Sequence, residues 1–273
     1  DIAFALGVLS LLGSRVPTSV KVLLTAVAII DDIAAILIIA VFYSHGIHVI
    51  PLCFAAAVLL VMFLINRNGV TTRTPYLLLT LVLWVSVLES GVHATIAGVI
   101  AAFFVPLKVA DGKEAPLLKI EHALHPWVAF CVLPIFAFAN AGVTLIGLDF
   151  ESLVLHPVTL GICFGLFFGK QIGVLLMVFL AHVTRLAPKP DDMNWRHIYG
   201  VAILCGVGFT MSLFIGGLAY SDYTLQATVR VGVLMGSILS AVFGYFVMLW
   251  STSEKSDAGE EDVPYTYAHD EKP

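Results

Sequence analysis

Two adjacent aspartates, Asp31 and Asp32, stand in the middle of the apolar run from Val22 to Tyr43, and no other charge interrupts it. A carboxylate at the centre of a bilayer costs about 2.5–3.5 kcal/mol on insertion scales, and a like charge beside it costs more. A chain keeps such a pair where the carboxylates face protein or a water-filled cavity. The chemistry available to them there is the binding of protons and small cations. Neighbours on a helix point about 100° apart, so one carboxylate can face water while the other pairs with a cation. A pair satisfied purely by hydrogen bonds or by an ion pair is the weaker alternative. Lys170 is the natural counter-ion, because it too falls in the middle of an apolar segment, GICFGLFFGKQIGVLLMVFLA. At that depth a snorkelling lysine reaches an interface poorly.

These three groups suffice for an exchange cycle. Protonated aspartates bind cations poorly; ionised ones ligate a small hard cation together with backbone, hydroxyl and water oxygens. Proton and cation then compete in a coupled titration. Exchange results when the loaded forms cross the membrane and the empty form does not. A second polar cluster comprises Lys119, Glu121, His122 and His125, with Glu121 and His125 at helical i,i+4 spacing. Histidine is the residue type that titrates in the physiological range, although an ordinary interfacial charge cluster explains the spacing equally well. His93, in SGVHATIAG, reads more readily as a packed polar group than as a ligand. Cys53, Cys131, Cys163 and Cys205 lie in apolar segments without metal-binding spacing and read as buried thiols.

The elements that must position these groups are helices in a membrane. Hydrophobic residues make up 59% of the 273-residue chain and charged residues 12%, against about 25% charged in soluble domains. Nine apolar segments span or nearly span a bilayer, at 1–12, 20–43, 47–65, 75–89, 91–106, 126–147, 157–182, 198–220 and 228–250. A full crossing takes about 20 residues, so the first is short and the fourth and fifth are marginal. The alternating strands of a transmembrane barrel are absent from the pattern. The expectation is an all-α, polytopic membrane protein. The half-length first segment suggests the carboxyl-terminal portion of a longer protein. LLKIEHALH, bracketed by Pro116 and Pro126, reads as an amphipathic approach to the sixth segment. Arg15, Lys21, Arg67, Arg73, Lys108, Lys113, Lys119, Arg185, Lys189 and Arg196 favour the odd-numbered connections. The positive-inside rule therefore places those connections in the cytoplasm. Residues 1–250 form the expected transmembrane unit. The acidic stretch 251–273, which contributes much of the net charge of −5, is the expected disordered cytoplasmic tail.

The eighth segment, VAILCGVGFTMSLFIGGLAY, combines Gly206, Gly208, Gly216 and Gly217 with Thr210 and Ser212. Glycines serve close helix packing in membranes. They also suit a helix broken near its middle, whose freed backbone groups line a cavity. The first segment, with Asp1, Gly7 and Ser10, can be half of a matching broken helix.

The sequence resembles the NhaA-type sodium/proton antiporters of bacteria to about position 250. The matching stretches are DIAFALGVLSLLGSRVP from Asp1, AIIDD at 28–32, SGVHATIAGV at 90–99, EHALHPWVAF at 121–130, LPIFAFANAGV at 133–143, GK at 169–170 and GVGFTMSLFI at 206–215. The resemblance implies an inverted-repeat fold with crossed broken helices in the bacterial inner membrane. It implies electrogenic, pH-regulated export of sodium or lithium against protons without any cofactor, and a homodimer when full-length. By the same resemblance Asp31 and Asp32 bind the ion and protons, and Lys170 pairs with Asp31. Asp1 offsets helix-end charge at the unwound crossing, where Gly206, Gly208 and Thr210 supply the broken backbone. Glu121, His122, His125 and His93 take part in the response to pH. The family's first three helices have no counterpart in this sequence, which keeps open the reading of an inactive fragment.

Other classes fit less well. An intramembrane aspartyl protease needs aspartates from two helices, and GVGF has Phe209 where the second carboxylate belongs. A membrane prenyltransferase needs further aspartates beyond DDIAA to hold magnesium diphosphate. Neither enzyme reading survives, and nothing in the pattern points to nucleic acid. A cation channel is compatible with the charge placement and differs in predicting flux uncoupled from protons.

Overall fold

The computed structural model describes residues 1–44, 46–107, 115–142, 150–187 and 189–257. These fold entirely as helices and connections. The helices are α1 (Ile2–Ser10), α2 (Thr18–Phe42), α3 (Val49–Arg67), α4 (Arg73–Glu89), α5 (Thr95–Phe104), α6 (Pro116–Trp127), α7 (Leu133–Ala141), α8 (Phe150–Val154), α9 (Pro157–Phe164), α10 (Lys170–Val183), α11 (Trp195–Leu204), α12 (Phe209–Ala219) and α13 (Tyr223–Asp257). Five continuous helices are long and apolar enough to cross a membrane, or six if the bent pair α11–α12 counts as one span. The protein is thus a polytopic helical membrane protein. The nine apolar segments exceed this count because α1, α4 and α5 have only 9, 17 and 10 residues.

Two of the five spans contain a π-turn. The turn at Val128–Val132 joins α6 to α7, and that at Gly165–Gly169 joins α9 to α10. The first lies in a proline-rich stretch. Pro126 lacks an N–H and its ring crowds the preceding turn, yet the helix runs on from Pro116 to Ala141. The wider turn that follows, with the Leu133 amide donating to the Val128 carbonyl, passes this stretch without breaking the helix. The span that contains the sixth apolar segment therefore starts at Pro116 rather than at 126, and LLKIEHALH is part of it.

Apolar packing gathers the helices into two main groups. Leu9, Val20, Leu24, Ile198, Leu204 and Met248 join α1, α2, α11 and α13. Val58, Met62, Tyr76, Leu83, Ala97 and Ala101 join α3, α4 and α5. α2 touches α5, and α12 touches α7 and α2, so the two groups meet beside the span that carries the aspartates. Many large apolar side chains remain exposed, among them Ile30, Phe42, Ile50, Phe130 and Phe138. In water such a surface would drive aggregation, whereas hydrocarbon solvates it.

Local signals fix the helix ends nearest the site. Asn194 accepts from the His197 amide at 2.8 Å, and the Asn194 amide donates to His197 Nδ1 at 3.1 Å, a capping box at the start of α11. Gly91, at φ +79°, lets the chain turn sharply after α4 and enter the segment that holds His93. α13 continues through residues 251–257, beyond the expected end of the transmembrane unit at 250. Lys108, Lys113 and the acidic residues from Glu260 onward lie outside the described residues.

Candidate ion-binding site

Asp31 is thirteen residues into α2 and eleven from its end, and Lys170 is the central residue of the span Pro157–Val183. At 1.5 Å per residue each lies about 20 Å from its helix start, so both are at mid-membrane depth. Their side chains meet: Lys170 Nζ donates to Asp31 Oδ2. The pair is not sealed off, since the Asp31 side chain is 51% exposed and that of Lys170 30%. Asp32 is half-buried and forms no ion pair with a side-chain cation among the described residues.

A small cavity of about 50 Å³ gathers these groups, lined by Asp1, Asp31, Asp32 and Lys170 together with Val174, Cys205 and Val207. Three carboxylates and one ammonium thus share a space large enough for one or two waters or a partly hydrated cation. Carboxylate oxygens suit small hard cations and protons alike. Among the described residues no three His, Cys, Asp or Glu side chains form a ready-made metal cluster.

Asp1 connects this cavity to the broken span. α11 and α12 bend by 41° at their break. The Thr210 amide donates to Asp1 Oδ1 at 2.5 Å, the Thr210 hydroxyl to the same oxygen at 2.9 Å, and the Met211 amide to Oδ2 at 3.4 Å. Asp1 is also the N-cap residue of α1, where its side chain makes no capping bond of its own. One carboxylate therefore faces the amino ends of two helices, each carrying about half a positive charge and unpaired N–H groups. The Phe4 and Phe209 rings, 5.0 Å apart, hold the same two helix starts together. At the other side of the break, Cys205 ends α11 and lines the cavity with Lys170, which sets an ammonium near a negative helix end.

Close approach explains the glycines at the break. A Cβ on Gly206 would lie 2.5 Å from the Leu166 carbonyl oxygen and against Ser240 Oγ. One on Gly208 would lie 2.6 Å from both Leu166 Cδ2 and Ser212 Oγ. The Gly208 amide, freed by the break, donates to Ser237 of α13 at 3.2 Å. Leu166 belongs to the π-turn that immediately precedes Lys170. The two irregular stretches thus pack into each other, and a π-turn rotates the residues that follow it by about 100° relative to an unbroken α-helix. The direction of Lys170 depends on that turn.

The other candidates from the sequence do not line this cavity. Glu121, His122 and His125 lie on exposed positions of α6. His93 Nε2 is 3.1 Å from the carbonyl oxygen of Tyr43, just beyond the end of α2, and its ring meets Phe214 of α12 edge-on at 6.3 Å. It packs where α2, α12 and the start of α5 converge. Val174, Ser237, Ser240 and the π-turn were not singled out from the sequence. Val174 follows Lys170 by four residues, which is one helix face. The two serines stand out only as polar residues within an apolar helix.

The sequence signature of the family described as Na+/H+ antiporter 1 matches residues 1–248. A relative named Na(+)/H(+) antiporter NhaA 1, from Pseudomonas putida, is 52% identical over 94% of this chain and 65% of its own length. One from Shewanella pealeana, named Na(+)/H(+) antiporter NhaA, is 53% identical over 90% of this chain and 63% of its own. A third, Na(+)/H(+) antiporter NhaA 2 of Klebsiella pneumoniae, is 50% identical over 94% of this chain and 67% of its own. The chain spans about two thirds of the length of these relatives. With more than nine tenths of its residues inside the matched region, the chain belongs to the Na+/H+ antiporter 1 family.

Proposed function

We propose that this chain forms the ion-binding part of an electrogenic sodium (or lithium)/proton antiporter of the bacterial inner membrane. The carrying observation is that Asp32, without a side-chain cation of its own, shares one small cavity with the Asp31–Lys170 pair and Asp1. The names of the relatives, all transporters, support the same reading.

In the mechanism, Asp32 is the first carboxylate to accept a sodium ion, with waters and freed backbone oxygens completing the shell. A cation arriving beside Asp32 competes with the Lys170 ammonium for Asp31 and loosens the ion pair. Protons arriving at the carboxylates expel the cation, so occupancy by one excludes the other. Two carboxylates releasing two protons for each bound sodium ion make the cycle electrogenic. Alternating access moves the group α1, α2, α11 and α13 against the group α3–α5, with α11–α12 and the start of α1 as halves of crossed broken helices. The nine-segment, inverted-repeat architecture and the homodimer of a full-length protein belong to the same reading. Glu121, His122, His125 and His93, away from the cavity, serve as groups through which pH tunes the rate.

The test is cation-induced proton movement in acid-loaded everted membrane vesicles. Vesicles carry this chain, its Asp32→Asn variant, or the Pseudomonas putida relative as a positive control. Sodium- or lithium-dependent collapse of the pH gradient by the chain, lost in Asp32→Asn, is the expected result. Undiminished activity in the variant refutes the assignment of Asp32. Cation flux without proton movement replaces antiport by a channel. An inert chain beside an active control shows that the antiporter needs the remaining third of its relatives' length.

A further inference from the structure

α11 begins the bent span, and the residue that closes its first turn is a histidine. His197 is 1% exposed and stands at the third helical position after the N-cap residue, Asn194. The Asn194 side chain accepts from the His197 amide at 2.8 Å, and His197 Nδ1 accepts from the Asn194 amide at 3.1 Å. A capping box ordinarily has Glu or Gln at this position, and a carboxylate or amide oxygen remains an acceptor throughout the physiological pH range. Histidine differs. Its Nδ1 accepts only while it carries no proton, because the imidazolium has two donors and no acceptor. The geometry therefore fixes the state of the ring: Nδ1 is bare, and the proton of the neutral imidazole is on Nε2.

This cap is a fixed point for the rest of α11. The Ser251 hydroxyl of α13 donates to the same Asn194 oxygen at 3.2 Å, so the box also ties α11 to α13. From there the two helices lie close together. A Cβ on Gly200 would run into Met248 Sδ, and one on Gly244 would lie 2.5 Å from Leu204 Cδ2. Cys205, which ends α11, lines the ion cavity. It lies about 12 Å along the helix axis from His197.

We propose that His197 is a pH-sensitive cap: unprotonated, it holds the start of the broken span against α13, and protonated, it releases that start. The sign follows from the hydrogen bond. A proton on Nδ1 would point at the Asn194 N–H, donor against donor, and would put a charge on a ring shielded from water. A histidine in an unfolded chain takes up its proton near about pH 6.5. The contribution of the cap is thus complete above that range and is lost as pH falls below it. The charged and titratable groups around the start of α11 are Lys189, Asp191 and Asp192 in the preceding connection, His182 of α10, Arg15 and Lys21 about the start of α2, and Tyr245 of α13. Arg196 is beside His197, with its guanidinium 4.2 Å over the Trp250 ring. Glu254 and Lys255 follow Ser251 in the sequence. Lys189 donates to the carbonyls of Pro190 and Met193, and Asp192 accepts from Ser19. The two bonds of the box run between Asn194 and His197 alone. The switch rests on this box and not on the antiport reading, and it adds a group at the broken span to those already considered for a response to pH.

Amide hydrogen exchange over residues 192–200 of the full chain in detergent tests it without any need for transport. His197→Gln is measured beside the starting chain, since glutamine keeps the acceptor of the box and does not titrate. The ratio of the two exchange rates cancels the intrinsic effect of pH on exchange and the titration of groups elsewhere. Loss of a cap corresponds to about a two- to thirtyfold rise in exchange. We expect the ratio, starting chain over variant, to rise by that factor between about pH 8 and about pH 5.5. His197→Ala lacks the acceptor at every pH and decides the matter if His197→Gln misfolds. The starting chain should exchange more slowly than His197→Ala at the higher pH and equally fast at the lower. A ratio to either variant that stays constant over this range overturns the proposal. So does a pH response that survives in His197→Gln and disappears in His182→Gln, which would move the switch to α10.

Discussion

Asp1→Ala and Asp1→Asn separate two things that the Asp1 carboxylate does at the start of α12. It accepts from the Thr210 amide, the Thr210 hydroxyl and the Met211 amide, at 2.5, 2.9 and 3.4 Å. A hydrogen bond to a charged group contributes about 1.5–3 kcal/mol, and an orphaned buried donor costs about 1–3 kcal/mol. The longest of the three contributes little, and the half-buried position of Asp1 weakens the others. The alanine variant should therefore lose about 3 kcal/mol. Asparagine keeps one acceptor oxygen for the Thr210 amide and hydroxyl, and loses the long Met211 bond and the charge facing two helix amino ends, the latter at about 0.3–1 kcal/mol each with the charge assistance added. Its loss should be about 1.5 kcal/mol. For a chain of this size these correspond to falls in melting temperature of about 10 °C and 5 °C. Thermal unfolding in detergent, followed by size-exclusion chromatography of the surviving fraction, gives the order directly. Thr210→Val removes one bond from the other side, so its effect should shrink in the Asp1→Ala background. Strictly additive effects, or an alanine variant as stable as the asparagine one, would refute a capping role for the carboxylate.

Glycine substitutions test how tightly the break is packed: Gly206→Ala should destabilise by about 1–3 kcal/mol through Leu166 and Ser240, whereas Gly217→Ala, with open space at its Cβ, should be neutral or mildly stabilising. The same thermal assay reads both. Asn194→Ala removes the capping box of α11 and should cost about 0.5–2 kcal/mol, a value that denaturant titration against Asn194→Asp checks. Lys170→Ala leaves Asp31 without its cation and should lower both thermal stability and sodium binding measured by calorimetry, with Lys170→Arg recovering most of the stability. Unchanged melting and unchanged binding in Lys170→Ala would count against the ion pair as part of the site.

The charged constellation was legible in the sequence because a membrane makes ionisable groups conspicuous. The adjacent Asp31 and Asp32, and Lys170, stand within apolar runs, so their cost pointed to them before any packing was known. Asp1 and Thr210 were legible more weakly, as polar residues in segments rich in glycine. Boundaries were less legible where the helix tolerates what usually ends it. Pro126 marks a helix start by the ordinary rule, yet the span begins ten residues earlier, since a π-turn beyond the proline carries the chain on. Likewise α13 continues into residues 251–257, because polarity alone does not stop a helix already anchored over seven turns. The residues proposed for a response to pH show the limit of spacing. Glu121 and His125 are correctly placed for each other on one face, but periodicity says nothing about which other element that face meets.

The π-turn before Lys170 left no trace in hydropathy, and its place in the fold says why it matters. A regular α-helix through Gly165–Gly169 would turn Lys170 by about 100°, away from Asp31. It would also move Leu166 out of the break, where Gly206 and Gly208 are shaped around it. The turn and the break therefore stand or fall together: each leaves backbone irregular at a depth where no lipid can satisfy it, and each provides the space or the partner that the other lacks. Irregular backbone survives in hydrocarbon only where protein encloses it. Here the enclosure brings one ammonium and three carboxylates to a single small cavity, with a helix amino end at one side and a helix carboxyl end at the other. Restoring either helix to regular geometry should thus displace the ion pair even though no charged residue is touched.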